Sequence, residues 1–180
     1  MKYQRYKKNK LQNLFIVLLS ILILALINIF PANSHYPITD MSECRLVRVI
    51  DGDTLKVDIN GIEETVRLVE IDTPESVNPD ESKNTYEGVL ASKYVSSILK
   101  KNQILYISKD MTDRDKYGRL LRVVWIEKPL SDSSEEFINK SLNAHLVQMG
   151  YAKVVKYDDY KYHKILKSLE NEYRRNKWNI

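Results

Sequence analysis

Carboxylate side chains gather at two points of the sequence, and an arginine stands between the two groups. Asp51 and Asp53 follow an apolar run that is typical of a β-strand, and Asp72 and Glu75 follow a second such run, which also contains Arg67. Carboxylate oxygens are the ligands that hard divalent cations prefer, and an arginine beside them can bind a phosphate group. The residue types therefore predict a site that holds a cation beside a phosphodiester, where water attacks the phosphorus.

Two plainer interpretations compete with this site. An isolated Asp-Gly-Asp sequence is more often a tight turn than a metal site, but the second acidic group, Asp72 and Glu75, favours the site. An EF-hand loop that begins at Asp51 does not fit, because its sixth position is Lys56 rather than glycine and its twelfth is Ile62 rather than glutamate.

Arg67 and Arg119 are the candidate phosphate ligands. The guanidinium group is a planar fork that donates two hydrogen bonds to phosphate oxygens, and it keeps its charge at any working pH. Arg119 follows Gly118, a residue that permits a turn and the close approach of a ligand. Simple solvation at the surface is the alternative for both arginines.

The first 34 residues differ from the rest of the chain. Five Lys and Arg residues lie between positions 2 and 10, and residues 14–30 contain no charged side chain. A basic flank followed by an apolar run is typical of an export signal or of an uncleaved anchor. The 19 residues from Leu14 to Ala32 are just enough to cross a bilayer. We expect residues 1–34 to be a signal peptide or a transmembrane helix. Because the basic flank should stay in the cytoplasm, the domain would be secreted or extracellular on the membrane.

Composition excludes several classes of site. Because residues 1–34 hold five of the 28 basic residues and none of the 24 acidic ones, the remainder has a net charge of −1. A globally basic protein that coats nucleic acid is therefore not supported. Cys44 is the single cysteine, which excludes an intramolecular disulfide and a cysteine-based zinc site. The three histidines are scattered without ligand spacing, which disfavours a histidine-based metal nuclease.

The remaining sequence predicts an α+β domain at residues 43–180, after a polar spacer at residues 35–42. Asn60-Gly61 predicts a two-residue hairpin turn, because both turn positions need positive φ. Five short strands leave exposed edges unless they close, so we expect a small barrel packed by helices. Periodicity predicts strands at 44–51, 54–59, 64–71, 104–108 and 120–127, and helices at 86–101, 133–149 and about 162–173.

Six short motifs lie at residues 49–54, 67–68, 72–75, 115–119, 142–143 and 150–154. In these motifs, in their order and in their spacing, the chain resembles the staphylococcal nuclease (thermonuclease) family from about Cys44 to Trp178. The resemblance implies an OB-fold five-stranded β-barrel packed by three α-helices. It also implies a calcium-dependent phosphodiesterase that acts on DNA and RNA and leaves 3′-phosphate products.

The resemblance also implies a role for each matching residue. Asp53 and Asp72 would be Ca²⁺ ligands together with the backbone carbonyl of Thr73, and Glu75 would orient or deprotonate the attacking water. Arg67 and Arg119 would bind phosphate. Lys116 and Tyr117 would line the nucleotide pocket. The protein would act as a monomer on DNA and RNA, with the membrane as a further partner if the leader is retained.

Two departures from the family bear on substrate binding. Lys156 stands where the family's type member has a tyrosine, so we assign that role to Tyr157, with Tyr160 as the alternative; a surface position is the simpler expectation for both. The loop after Glu75, which is lysine-rich in the type member, here contains an acidic pair at positions 80 and 81. The alternative function is a non-catalytic OB-type module that binds nucleic acid or protein, and such a module should lack one or more of the metal and phosphate groups. A membrane-tethered scaffold is a third possibility.

Overall fold

The computed structural model describes residues 15–20, 38–156 and 159–178. The chain divides into two units, Met1–His35 and Tyr36–Ile180. In the first unit, residues 15–20 are helical, and the rest of the expected signal or anchor helix lies outside the described residues. Among the residues described, no helix combines the length and the apolar character that crossing a membrane requires.

In the second unit, five strands close into a barrel, which confirms the predicted architecture. The strands described are β1 Met41–Asp51, β2 Thr54–Ile59, β3 Ile62–Leu68, β4 Ile71–Asp72, β5 Ile104–Ser108, β6 Leu120–Trp125 and β7 Lys153–Val154. Strand neighbours follow the order β1-β2-β3-β6-β5, and every neighbouring pair is antiparallel except β3 and β6, which are parallel. Closure leaves no long exposed edge. A separate two-stranded sheet joins β4 to β7.

The hairpin between β2 and β3 forms where the sequence predicts it. Asn60 has φ 54° and Gly61 has φ 86°, and Ile59 pairs directly with Ile62 across the two-residue turn. The side chain of Asp58 accepts a hydrogen bond from the Gly61 N–H at 3.0 Å. Positive φ at both positions matches the right-handed twist of the flanking strands, which sets the register of the hairpin.

The prediction of one strand over 64–71 was wrong. The strand ends at Leu68, Glu70 turns the chain with φ 65°, and Ile71–Asp72 then pairs with Lys153–Val154. The main-chain N–H of Val155 donates to the Glu70 carbonyl at 3.0 Å, which holds the turned segment against the C-terminal part of the domain. This break carries Asp72 out of the barrel ladder and toward its open end.

In the described part of the second unit four α-helices pack around the barrel, whereas the sequence predicts three. The predicted helix over 133–149 is two helices, because Ser141 is extended, with φ −87° and ψ 139°. The Ser141 hydroxyl accepts a hydrogen bond from the Ala144 N–H at 3.1 Å and so caps the second of the two helices. Ser141 also forms a β-bridge with Trp125. The helices are α1 Tyr86–Ile98, α2 Ser134–Lys140, α3 Leu142–Gln148 and α4 His163–Trp178, with a short 3₁₀ helix at Glu81–Lys83.

Apolar side chains from the barrel strands and the helices form one core. On β2 the buried residues Leu55 and Val57 alternate with Lys56 and Asp58, whereas β6 ends in three consecutive buried apolar residues, Val123 to Trp125. The largest fully buried apolar side chains are Trp125, Phe137, Leu46, Leu55, Leu68, Ile71, Leu105, Leu142, Leu146 and Leu166.

Asn143 supports a stability prediction, because its fully buried amide joins two parts of the barrel. Its Oδ1 accepts from the Val124 N–H at 3.0 Å, and its Nδ2 donates to the Val69 carbonyl at 2.9 Å. We expect Asn143→Ala to lower the free energy of unfolding by about 2–4 kcal/mol, because both buried backbone groups lose their partner. Equilibrium urea denaturation measures the change.

The matched control is Asn171→Ala, at an exposed position on α4. We expect its free energy of unfolding to stay within about 0.5 kcal/mol of the wild type. Equal effects of the two substitutions would contradict the buried bridging role of Asn143.

Candidate active site

A cleft of about 810 Å³ opens at the end of the barrel where β1, β3 and β4 finish. Five side chains that the sequence assigns to chemistry line it: Asp53, Arg67, Asp72, Glu75 and Arg119. A volume of this size is typical of a small-ligand site. The five residues come from four separate segments of the chain, so the fold alone brings them together.

Asp53 is buried in the turn between β1 and β2, and it ties that turn to the segment after β4. Its Oδ2 accepts from the Thr73 N–H at 2.8 Å and from the Thr73 hydroxyl at 3.1 Å. Its Oδ1 accepts from the Thr54 hydroxyl at 3.0 Å. These three hydrogen bonds fix the orientation of the Asp53 carboxylate. Two of them also join Asp53 to Thr73, which is far away in sequence.

The Arg67 guanidinium is buried among oxygen atoms. Its Nη1 donates to the carbonyls of Leu68 at 2.6 Å and Ile71 at 2.8 Å. Its Nη2 lies 2.8 Å from Asp72 Oδ1 and 3.1 Å from Asp53 Oδ2. The single positive charge of Arg67 therefore pairs with both carboxylates, so the buried guanidinium is compensated while the three groups together keep a negative charge.

Asp72 differs from Asp53 in its exposure, because 52% of its side chain is open to solvent. Partial burial raises the pKa of the Asp72 carboxyl above its ordinary value, and the negative charge of Asp53 adds to this, although Arg67 acts in the opposite direction. Asp72 is thus the more accessible carboxylate of the pair.

Glu75 presents an exposed side chain on a fixed main chain. Its carbonyl accepts from the Thr85 N–H at 2.8 Å. The next residue, Ser76, is held by Asp51, whose Oδ1 accepts from the Ser76 hydroxyl at 2.6 Å and whose Oδ2 accepts from the Ser76 N–H at 3.3 Å. Asp51 therefore anchors the segment that carries Glu75, and only Asp53 of the first acidic group contacts Arg67.

Arg119 is oriented by Asp115. The Arg119 Nε donates to Asp115 Oδ2 at 2.6 Å, and the main-chain N–H groups of Tyr117 and Arg119 both donate to Asp115 Oδ1 at 2.9 Å. Burial alone would raise the pKa of Asp115, but the hydrogen bonds and the charge of Arg119 outweigh it and hold that pKa below its ordinary value. The ion pair therefore persists at neutral pH.

Two more residues of the predicted site lie at the mouth of the cleft. The ring of Tyr117 is 71% exposed. Lys116 Nζ lies 5.0 Å and Arg119 Cζ 5.4 Å from its centroid. Tyr157 lies outside the described residues. Tyr160 lines the cleft and is buried, so the expectation that it lies on the surface was wrong.

The donor chemistry of Asp53, Asp72 and the Thr73 carbonyl suits a hard divalent cation, because all three supply oxygen. Both carboxylates already lie within 3.1 Å of one positively charged nitrogen, Arg67 Nη2, so this position favours positive charge. Within the described part of the chain, no three carboxylate, imidazole or thiol side chains are close enough to share a metal ion. The ligands expected here are two carboxylates and one main-chain carbonyl, so three such side chains are not required.

Comparison with known proteins agrees with the geometry. A family model described as "Staphylococcal nuclease homologue" matches residues 65–180. The thermonuclease of Staphylococcus hyicus is 32% identical over 137 residues, which cover 76% of this chain and 73% of that relative. The thermonuclease of Staphylococcus intermedius is 34% identical over 134 residues, with coverages of 74% and 72%. The endonuclease YncB of Bacillus subtilis is 38% identical over 110 residues, 61% of this chain and 46% of the relative.

The barrel, the cleft and these relatives together define a nuclease, a hydrolase of phosphodiester bonds. The match with the family model covers more than half of the chain. The chain belongs to the staphylococcal nuclease family.

Sequence reasoning missed the residues that hold the site in place. Ser76, Thr85 and Arg114 support the cleft through hydrogen bonds, and no motif singles them out. The only signal for Ser76 is its position directly after Glu75, where a short hydroxyl side chain can bond a nearby carboxylate.

Gly88 in α1 supports a prediction about the Glu75 segment. A Cβ atom at position 88 would overlap the main chain of Glu75 and approach the Pro74 carbonyl oxygen to 2.6 Å. Gly→Ala in a helix normally stabilises by about 1 kcal/mol. We expect Gly88→Ala instead to destabilise the protein by about 1–3 kcal/mol, because the backbone must shift to accommodate the methyl group. Equilibrium urea denaturation shows whether the free energy of unfolding falls or rises.

Ser96→Ala, at an exposed position in the same helix, is the control. We expect it to leave the free energy of unfolding unchanged or slightly higher, as helix propensity dictates. If Gly88→Ala also stabilised the protein, the close packing of α1 on the Glu75 segment would be contradicted.

Proposed function

We propose that this chain is a calcium-dependent nuclease that hydrolyses phosphodiester bonds of DNA and RNA. The observation that carries the proposal is the convergence of Asp53, Arg67, Asp72, Glu75 and Arg119 on one cleft. A non-catalytic binding module would have no need for three carboxylates and two arginines at one place. Of the carboxylates, Asp53 is buried, while Asp72 and Glu75 are exposed.

In this proposal Asp53, Asp72 and the Thr73 carbonyl hold the calcium ion. Bound there, the ion would neutralise negative charge on a phosphate oxygen and lower the pKa of a bound water. The hydrogen bonds from Thr73 and Thr54 keep the Asp53 carboxylate in one orientation before any ligand arrives. Asp72 supplies the solvent-facing side of the same site.

Glu75 is the proposed general base, or the group that orients the attacking water. Its carboxylate is exposed to the cleft, while hydrogen bonds at its own carbonyl and at Ser76 hold its main chain. A base must lie within hydrogen-bond reach of the proton that it accepts, and a fixed backbone limits the positions that its carboxylate can take. The carboxylate would accept the water proton as the new oxygen–phosphorus bond forms.

Arg67 and Arg119 are the proposed phosphate ligands. Negative charge increases on the phosphate oxygens in the transition state, so guanidinium donors stabilise it more than the ground state. Asp115 fixes the direction of Arg119. Arg67 lies between the two carboxylates and would contact a phosphate group bound beside them. Departure of the 5′ oxygen would leave the 3′-phosphate product that the family resemblance implies.

Lys116, Tyr117 and Tyr157 are the proposed contacts to the nucleotide. The exposed ring of Tyr117 offers a surface on which a base can stack, and Lys116 adds positive charge at the mouth of the cleft. Tyr160, which also lines the cleft, is the alternative for the role of Tyr157.

We further propose that residues 43–180 form the catalytic domain, that residues 35–42 are a spacer and that residues 1–34 direct export. The enzyme would be a monomer, secreted or displayed on the outer face of the cell membrane. The support is the sequence pattern of a basic flank followed by an uncharged apolar run.

The test is degradation of heat-denatured DNA, and separately of RNA, by the full-length protein in calcium and in EGTA. We expect degradation of both substrates in calcium and none in EGTA. Glu75→Gln should lower turnover by about 10²–10⁴-fold, the usual contribution of a general base. Gel assays and end-group analysis of the products measure both effects.

Glu172→Gln is the matched control, since Glu172 is an exposed carboxylate on α4 that does not line the cleft. It should retain full activity. Degradation in both conditions or in neither would overturn the calcium-dependent nuclease, and undiminished turnover in Glu75→Gln would exclude Glu75 as the base.

A further inference from the structure

We propose that Glu64 and Arg114 form a positioning pair that fixes the turn at residues 115–119 beside the cleft. The inference rests on the proposed function, because that turn carries Tyr117 and Arg119. Neither Glu64 nor Arg114 belongs to the motifs that identify the family in this sequence. Their role follows from the contacts that they make.

The 115–119 turn is a self-contained unit. The Gly118 N–H donates to the Asp115 carbonyl at 3.0 Å, and the Asp115 N–H donates to the Arg119 carbonyl at 3.0 Å. The Asp115 side chain accepts from the Tyr117 and Arg119 N–H groups, and Gly118 has φ 79°. These bonds give the turn its shape, and Leu120, which directly follows Arg119, joins the end of the turn to the barrel by pairing with Val66 on β3.

Arg114 supplies contacts that join the turn to the barrel. Its Nη1 donates to the Gly118 carbonyl at 2.8 Å and to Glu64 Oε2 at 3.0 Å, and its Nη2 donates to Glu64 Oε1 at 2.7 Å. Glu64 is on β3, the strand that also carries Arg67. The fork therefore adds a side-chain link between Gly118 in the turn and β3, beside the main-chain pairing of Leu120 with Val66.

The geometry of the pair suits positioning rather than stability. Two parallel hydrogen bonds between a guanidinium and a carboxylate fix direction as well as distance. The Arg114 side chain is 42% exposed and the Glu64 side chain 24%, and exposed ion pairs add little to the free energy of folding. The hydrogen bond from Arg114 lowers the pKa of Glu64, so the pair stays ionised at neutral pH.

Arg114 also lines the cleft, so direct binding of phosphate is the competing role. The two roles predict that Glu64→Gln changes different kinetic parameters. If Arg114 binds phosphate, removing its acidic partner frees it and increases the attraction for a polyanion, so KM falls. If the pair positions the turn, the same change misplaces Arg119, so kcat falls.

The experiment compares Glu64→Gln with Glu63→Gln in the full-length protein, assayed on denatured DNA in calcium. Glu63 precedes Glu64 on β3 and lies 3.9 Å from Lys56, so its loss removes the same charge without touching the turn. We expect kcat to fall by about tenfold or more in Glu64→Gln, since small misplacements of a catalytic group cost up to about 10² in rate. Glu63→Gln should stay within about twofold, as a surface charge change does. Arg114→Lys, which keeps the charge but loses the fork, should resemble Glu64→Gln.

Hydrogen exchange provides a readout that does not depend on activity. The amides of Tyr117, Gly118 and Arg119 should exchange faster in Glu64→Gln than in the wild type, and no faster in Glu63→Gln. Unchanged kcat or unchanged exchange in Glu64→Gln, or a lower KM with kcat retained, would overturn the inference. Inactivity of the wild type in calcium would instead overturn the proposed function.

Discussion

The guanidinium of Arg67 lies in a buried position, surrounded by the carbonyls of Leu68 and Ile71 and the carboxylates of Asp53 and Asp72. A buried charge is tolerated only when it is paired and hydrogen-bonded, so these oxygen atoms cannot move independently. Through this one side chain the first hairpin, the end of β3 and the short strand β4 are held together. The same requirement keeps two carboxylates close to each other at the open end of the barrel.

The other groups of the cleft are fixed in a similar way, by hydrogen bonds that leave the functional side chain facing the cleft. Glu75 is held through its main chain by Thr85 and through its neighbour Ser76 by Asp51. Arg119 is directed by Asp115. Preorganisation of this kind is what electrostatic catalysis requires, because groups that are already in place need no rearrangement during the reaction. The nuclease proposal follows from this arrangement.

The barrel and the residues that line the cleft could be predicted from the sequence, because the period of apolar residues, the Asn60-Gly61 turn and the motif spacings are local signals. Other features depend on contacts between distant residues. Glu70 breaks the third strand in a place held by Val155, and Ser141 divides a helix where it bridges to Trp125. The burial of Tyr160 likewise depends on tertiary packing, and the Glu64–Arg114 fork joins residues that no sequence pattern relates.

The most direct test of the shared site is a crystal structure of the protein grown with calcium. The account predicts a calcium ion bound by Asp53, Asp72 and the Thr73 carbonyl, in the cleft that Glu75 and Arg119 also line. A calcium ion bound at another acidic position, with no ion between Asp53 and Asp72 at saturating concentration, would contradict it.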